Sequence, residues 1–389
     1  MEIDGRIGTL LAVSRFIIVI ALVAAGCSAG AAVEATNPTS PPSTLSAPLE
    51  TVVSTTTTTS TTTTSTTTTT RPPVEPVVLA FGGDVSFTHG LWTTDPLGKI
   101  SGLLTAADQT WINLETAIAE EGVGVPFDKK YVFKSPPVMA EMLASAGVTG
   151  VALGNNHTLD FGVAGLERTI ELLNESGVSH AGAGANRSEA YAPSVFEFES
   201  TSVALLSFSR VLSAPAWAAT DDRPGLASAY DPFIERSNEA VAEAARTAEV
   251  VVVMVHWGIE RSACPEDYQR DLAAGWAAAG ADLVVGSHPH VLQGVEQIGD
   301  TWVIYSTGNL AFPSANSDDA TKTVLFEATI QNGEIRVGVE PLRIVAGAPT
   351  LASDEDRAAI LDTLNSRSLG VSFDSGGGAV TGSPVSVCG

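Results

Sequence analysis

From residue 77 onward, short apolar runs alternate with stretches of helical periodicity, and this alternation constrains the fold more than any other feature of the chain. The strand candidates are residues 77–81, 111–113, 148–153, 203–208, 250–255, 283–285 and 302–305. The helix candidates are residues 137–146, 163–173, 238–248 and 267–279. Such alternation predicts an α/β domain of largely parallel strands flanked by helices. Asn332-Gly333 separates two further apolar runs, 323–330 and 335–341, which predicts a closing β-hairpin.

The N-terminus is typical of an exported protein. Arg6 and Arg15 flank an apolar start, and the apolar run 16–25 is shorter than the about 20 residues that span a bilayer. The following VAAGC sequence resembles a lipobox, which predicts a lipoprotein-type signal peptide over residues 1–27 and a diacylglyceryl group on Cys27. We therefore expect an extracytoplasmic protein anchored to the cell membrane. Ordinary secretory cleavage near Ala25, with Cys27 unmodified, is the alternative.

Residues 28–76 contain almost no side chains that could build a core. Pro, Ser and Thr dominate, and residues 54–70 are Ser or Thr without interruption. This composition predicts an extended stalk whose hydroxyls could carry O-linked sugars, or a plain disordered linker. The folded domain is expected over residues 77–345. Residues 346–389 then hold a short helix, near 354–364, and a Gly-rich tail.

The net charge of −24 excludes one class of partner. No cluster of Lys and Arg with interleaved aromatic residues interrupts the acidity of the folded part, so we expect no binding to nucleic acid. The same field repels any free polyanion, so an anionic polymer would have to be held locally.

Polar residues of metal-ligand type follow several predicted strands. They are Asp84, Asn113, Glu115, Asn155, Asn156, His157, His256, His288 and His290. The carboxyl ends of parallel strands meet at one edge of a sheet, so these side chains are expected to converge there. Imidazoles mixed with carboxylates and an amide favour Zn, Mn or Fe over Mg or Ca. Singly, Asp84 could cap a turn and His256 could be a core residue packed on Trp257.

Six blocks of sequence, in this order, resemble the CapA family of capsule-synthesis proteins, the type associated with poly-γ-glutamate. The blocks are GGDVSF at Gly82, INLETAI at Ile112, LGNNHTLDFG at Leu153, HWGIE at His256, AGADLVVGSHPHVLQGVE at Ala279 and IYSTGNLAF at Ile304. The resemblance covers about residues 77–345. It implies a variant of the calcineurin-like metallophosphatase fold, a two-sheet α/β sandwich (four layers, α/β/β/α) with a metal centre at the strand ends.

The resemblance also implies roles for individual residues. Asp84 and His290 would bind a first metal, Asn156, His256 and His288 a second, and Glu115 would bridge the two. His157 would donate a proton to the leaving group, and Asp160 would orient His157. One or two divalent transition-metal ions are implied.

The chain departs from the metallophosphatase pattern at two positions. Ser86 stands where an Asp-x-His motif has its imidazole, so the first metal is expected to bind loosely or not at all. Glu115 replaces a bridging Asp and lengthens the arm by one methylene. The implied function is synthesis, export or attachment of a capsule polymer, with membrane proteins of capsule synthesis as partners and with possible metal-dependent hydrolysis of phosphoester or amide bonds. The alternatives are a non-enzymatic scaffold subunit and a phosphodiesterase for an unknown extracellular substrate.

Cysteine usage adds one expectation. With Cys27 assigned to the lipid, Cys264 and Cys388 remain, and two such cysteines usually pair outside the cytoplasm. That bond would tie the C-terminal tail beside the loop after His256, where the tail could line the cleft. Two free thiols are the alternative.

Overall fold

The computed structural model of the protein describes residues 75–382 and 386–388. The signal peptide, the lipidation of Cys27 and the stalk up to residue 74 lie outside the described residues and stay predictions. Within the described part, none of the helices has the length and apolarity needed to cross a bilayer.

Strands and helices alternate along the described residues, as the apolar pattern predicts. The strands are β1 (Val77–Val85), β2 (Gln109–Leu114), β3 (Ala117–Ile118), β4 (Lys134–Ser135), β5 (Gly150–Ala152), β6 (Ser179–Ala181), β7 (Ala183–Gly184), β8 (Ser194–Glu197), β9 (Ser202–Ser209), β10 (Gly225–Leu226), β11 (Val250–His256), β12 (Leu283–Ser287), β13 (Val295–Ile298), β14 (Thr301–Ile304), β15 (Asn309–Ala311), β16 (Lys322–Gln331), β17 (Glu334–Val345), β18 (Ala348–Leu351), β19 (Val371–Phe373) and β20 (Ala379–Thr381). The α-helices are α1 (Ser101–Leu104), α2 (Val138–Ala146), α3 (Gly162–Glu175), α4 (Arg187–Ala190), α5 (Ile234–Ala244), α6 (Asp267–Ala279), α7 (Asp318–Thr321) and α8 (Asp354–Arg367).

Two large sheets organise these elements. The first sheet has the order β18-β17-β16-β1-β2-β5-β6, with β15 also paired to β1. Its strands β1, β2, β5 and β6 run parallel, whereas β16, β17 and β18 are antiparallel. The second sheet has the order β13-β14-β12-β11-β9-β8, and β9, β11, β12 and β14 run parallel. The β16–β17 pair is the predicted hairpin, closed at Asn332-Gly333.

Three apolar clusters show how the layers pack. The middle cluster joins side chains of both sheets, such as Phe81 and Trp111 of the first with Val252 and Val285 of the second. A second cluster lies on the outer face of the first sheet, under α2 and α3. The third lies on the outer face of the second sheet, where α5 and α6 contribute residues such as Trp276. The predicted four-layer α/β/β/α sandwich is confirmed.

A backbone contact fixes the end of β1. The register with β2 shifts between Gly82 and Asp84. A Cβ atom at Gly83 would lie only 2.0 Å from the Gly308 carbonyl oxygen, so this position admits no side chain. The Asp84 N–H donates to the same Gly308 oxygen over 3.0 Å. The bulge therefore holds Asp84 at the rim of the sheet.

The C-terminal residues pack onto the domain. The structure joins Cys264 to Cys388 in a disulfide with a Cα–Cα distance of 5.2 Å. Arg270 of α6 donates to the Cys388 carbonyl, and the Val387 N–H donates to the Ser366 carbonyl of α8. The described tail thus lies against α6 and α8, and its residues are not among those that line the opening beside His157 and His290.

Candidate metal centre

The predicted ligands converge, but they come from both sheets rather than from one. In the first sheet, Asp84 lies in β1 and Glu115 directly follows β2. In the second, His256 ends β11 and His288 directly follows β12. The expectation of a single sheet edge was therefore incomplete: the parallel strands of two facing sheets end at a common rim.

The donor atoms form two overlapping groups. Glu115, His256 and His288 make up one group, which we call the His288 half-site, and Asp84, Glu115 and His290 make up the other, the Asp84 half-site. Within each group, one ligand atom per residue lies within 4.8 Å of the others. Glu115 belongs to both half-sites, and the role of a bridging carboxylate that the resemblance implies for it stays a prediction.

Unpaired buried atoms indicate that the His288 half-site suits a cation. Both carboxylate oxygens of Glu115 and the Nδ1 atom of His288 are buried without a hydrogen-bond partner. Such groups cost free energy unless something satisfies them. His256 Nε2 lies 3.5 Å from Glu115 Oε1 and 2.8 Å from the amide oxygen of Asn156. Two imidazoles, a carboxylate and an amide oxygen are ligands that Zn, Mn and Fe accept, so these residues fit the implied ion.

In the Asp84 half-site, Asp84 and His290 are paired within the protein, whereas the oxygens of the shared Glu115 are not. The Asn113 amide donates to Asp84 Oδ1 over 2.8 Å, and the His288 backbone N–H lies 3.3 Å from Asp84 Oδ2. His290 Nδ1 lies 3.0 Å from the same oxygen, and His290 Nε2 lies 3.8 Å from Glu115 Oε1. An internal ion pair can thus replace a metal here.

Burial and neighbouring charges separate the two half-sites electrostatically. Burial lowers the pKa of His256 well below its usual value and that of His288 to about 3, so both imidazoles are neutral near pH 7. Burial also acts to lower the pKa of His290, but the charges of Glu115 and Asp84 outweigh it and raise that pKa to about 9. Burial raises the pKa of Glu115. His290 is therefore protonated near pH 7, where its Nδ1 atom lies 3.0 Å from the Asp84 carboxylate.

The turn that carries His288 and His290 is strained. His288 has φ 96° and His290 has φ 57°, both in the left-handed region that favours glycine. Such residues cost on the order of 1–3 kcal/mol each. In this turn the His288 and His290 rings lie 6.1 Å apart, centroid to centroid, and they belong to different half-sites.

His157 lies beside the centre with a buried carboxylate behind it. Its Nδ1 atom is 2.6 Å from Asp160 Oδ2, and its Nε2 atom is 3.8 Å from Glu115 Oε1. Asp160 is paired on its other oxygen with Lys129 Nζ at 2.6 Å. Burial lowers the pKa of His157 even though Asp160 opposes the shift. Asp160 therefore lies where the resemblance implies an orienting residue.

Sequence reasoning missed three neighbours of the centre. Lys129 donates to the Asn156 carbonyl and to the Ser213 hydroxyl as well as pairing with Asp160. Phe133 stacks on His157 with ring centroids 4.1 Å apart, and Phe312 lies 4.8 Å from the His290 ring. These residues lie in loops without periodicity. The available signal was the segment 129–134, in which three lysines are interleaved with Tyr131 and Phe133. The expectation that no basic and aromatic cluster interrupts the acidity was wrong for this segment.

The family model described as bacterial capsule synthesis protein PGA_cap matches residues 78–314, more than half of the chain. The chain belongs to this family. The PGA biosynthesis protein CapA of Bacillus subtilis (strain 168) is 30% identical over 248 residues, which are 64% of this chain and 64% of that relative. The capsule biosynthesis protein CapA of Bacillus anthracis is 29% identical over 290 residues, covering 73% of this chain and 68% of the relative. The chain therefore spans about two thirds of the length of these relatives.

Solved structures of similar shape include a phosphatase of Mycoplasma pneumoniae. It is 15% identical, has a TM-score of 0.44 and covers 71% of this chain and 95% of that one. The layer order of this protein follows from its own strands and helices and does not depend on this likeness. Within the PGA_cap match lie all eight residues of the centre predicted from the sequence: Asp84, Glu115, Asn156, His157, Asp160, His256, His288 and His290.

Proposed function

We propose that this protein acts at the cell surface in the synthesis, export or attachment of a poly-γ-glutamate-type capsule polymer, and that its centre is a metal-dependent hydrolase site. Membership of the PGA_cap family supports the capsule role. The observation that carries the hydrolase part is the cluster of unpaired Glu115 and His288 atoms beside the paired His157 and Asp160. Capsule-synthesis membrane proteins are the proposed partners.

The residues divide into holding and reacting groups. Glu115, Asn156, His256 and His288 would hold one divalent ion, and Asp84 with His290 would complete a second place. When bound, such ions polarise a phosphoryl or carbonyl oxygen and make a nucleophile available near neutral pH. The acceptable substrates are therefore phosphoesters and amides, including γ-glutamyl amides.

His157 is the proposed proton-transfer residue. Asp160 accepts the Nδ1–H and so fixes the tautomer, which leaves Nε2 directed to the Glu115 side of the centre. From there Nε2 can take up or give a proton of the reacting group. Lys129 neutralises the second oxygen of Asp160, and Phe133 covers one face of the imidazole, which limits its motion and its contact with water.

Metal content and turnover test this function together. The full chain, purified in detergent, should contain bound metal by elemental analysis, and His288→Ala should lose it. His157→Ala should keep the metal but lower hydrolysis of a phosphodiester or a γ-glutamyl peptide by about 10²–10⁴-fold. His89→Ala changes an exposed histidine outside the half-sites and serves as the control. Absence of metal from the wild type would contradict the proposal.

A scaffold subunit without turnover is the second candidate. The observation in its favour is Ser86, whose buried hydroxyl donates to Thr88 where metallophosphatases have an imidazole. Bound metal with no hydrolysis of either substrate class, in the presence of the membrane partners, would support the scaffold. Hydrolysis of phosphodiesters alone would instead support the phosphodiesterase alternative.

The membrane anchor is tested separately. If Cys27 carries the lipid, Cys27→Ser should move the protein from the membrane fraction to the medium, because the acyl chains provide the stable attachment. Cell fractionation and immunoblotting measure this. Unchanged membrane association of Cys27→Ser would contradict the lipid anchor.

A further inference from the structure

A small opening above the centre provides a second set of contacts. Its volume is about 240 Å³, and its lining includes the inner residues His157 and His290 and the outer residues Tyr131, Glu260 and Arg261. Sites for drug-sized ligands are usually about 300–1,000 Å³. This opening is therefore smaller than a typical site for a drug-sized ligand.

Aromatic rings form one wall of the opening. Phe133 and Phe312 meet edge to face with centroids 5.7 Å apart, while each also contacts one of the imidazoles. The aromatic wall carries no charge of its own. It also leaves Glu260 and Arg261 as the charged side chains in the outer part of the opening.

The backbone holds Arg261 at the rim. Its φ angle is 65°, and its N–H donates over 2.8 Å to the carbonyl of Pro289, the residue between the two ligand histidines. One side-chain nitrogen, Nη1, lies 3.1 Å from the Ser317 hydroxyl. The guanidinium has five N–H donors in total. Among the described residues it forms no ion pair, so donors are left for a ligand.

The Glu260 carboxylate provides the opposite charge next to Arg261. It too forms no ion pair with a described residue. Its charge acts on the centre, because it raises the pKa of His290, although less than Glu115 and Asp84 do. One acid and one base on consecutive residues match a ligand that carries both an ammonium and a carboxylate.

We propose that Glu260 and Arg261 bind the amino end of a γ-linked glutamate chain, with its α-ammonium on Glu260 and its α-carboxylate on Arg261. In a γ-linked chain the terminal residue keeps both groups on one carbon, because the chain continues through the side-chain carboxyl. An interior residue has lost its ammonium to the amide bond. The opening therefore selects the end of the polymer and directs the first γ-amide to the His157 side. This inference rests on the proposed function and names the substrate of that site.

Dipeptide binding to the full chain in detergent, followed by calorimetry, tests the proposal. The probes are γ-glutamyl-glutamate, its N-acetyl form and α-glutamyl-glutamate. Metal-free protein is measured first, so that turnover does not consume the probe, and zinc-loaded protein second. The wild type should bind γ-glutamyl-glutamate at least tenfold more tightly than either other probe. Arg261→Gln should weaken it by about tenfold, and Glu260→Gln should remove the preference for the free amine.

Arg246→Gln is the matched control, since Arg246 is exposed, forms no ion pair with a described residue and lies outside the opening. Circular dichroism establishes that each variant is folded. Equal binding by the wild type and Arg261→Gln would overturn the inference. Weaker dipeptide binding by Arg261→Gln, with unchanged binding by Glu260→Gln, would also overturn it, because this pair of results indicates a site that recognises only an anion. The metal content of the purified protein is recorded in parallel. A wild type that contains no bound metal contradicts the proposed function, whereas dipeptide binding to the metal-free protein still decides this inference.

Discussion

The two half-sites share Glu115 yet prepare for a cation in opposite ways. The His288 half-site presents neutral imidazoles, and the buried Nδ1 atom of His288 lacks a partner, as do both oxygens of the shared Glu115. In the Asp84 half-site the two residues that it does not share are already paired, because Asp84 lies against His290 and accepts from the Asn113 amide. Proximity of ligand-type residues is therefore not sufficient for a half-site to bind a cation tightly. A half-site with unsatisfied donors gains more from an ion than one that the protein has satisfied.

Removing one histidine from each half-site should have unequal effects on metal binding. His288→Ala should weaken binding of the tighter ion by more than about 100-fold, since even outer contacts of a metal site are worth 10–100-fold. His290→Ala should leave that ion in place and affect only a weaker one. Elemental analysis and calorimetric titration at pH 7 measure both. Equal losses in the two variants would contradict the ranking of the half-sites.

The pH dependence should differ between the same two variants. In His288→Ala the Asp84 half-site remains, and His290, with its pKa near 9, must lose a proton before it can bind metal. Affinity should therefore rise by about tenfold per pH unit from pH 7 and level off above pH 9. In His290→Ala, the His256 and His288 imidazoles are already neutral over this range, so pH acts through Glu115 alone. A flat profile in His288→Ala from pH 7 to 9 would refute this account.

Ser86→His should make the half-sites more alike. The added imidazole stands two residues after Asp84 and should tighten binding at the Asp84 half-site by about tenfold, or about 1.4 kcal/mol. Because Ser86 is completely buried, the larger ring should also lower the free energy of unfolding by about 1–3 kcal/mol. Calorimetry and thermal melting measure the two effects. Ser86→Asn enlarges the side chain without an imidazole; equal metal affinity in both variants would count against a ligand role.

The longer elements of the fold were predictable because their apolar patterns are long enough to recognise. The run predicted at 250–255 became β11, and the helix predicted at 267–279 has the bounds of α6. Two-residue strands such as β3 and β7 carry no pattern of their own and depend on tertiary pairing. The helix expected near 354–364 extends three residues further, to Arg367, and its Ile360 side chain packs into the middle cluster.

The centre was predictable in its residues but not in its electrostatics. The rule that ligands follow parallel strands identified Asp84 and His256 from the sequence alone. It could not indicate that His288 and His290, two positions apart, would have pKa values near 3 and 9, because those depend on distances to side chains far away in sequence. Lys129 escaped notice for the same reason: its partner Asp160 belongs to another segment of the chain.

The bulge at Gly83 extends the influence of the centre to a residue that binds nothing. Any substitution there would push a methyl group or more into the Gly308 carbonyl and move Asp84 with it. A mutational scan that measures only activity would accordingly rank this glycine with the ligands. Transfer of the centre to another scaffold would have to keep a glycine at this position as well as the histidines.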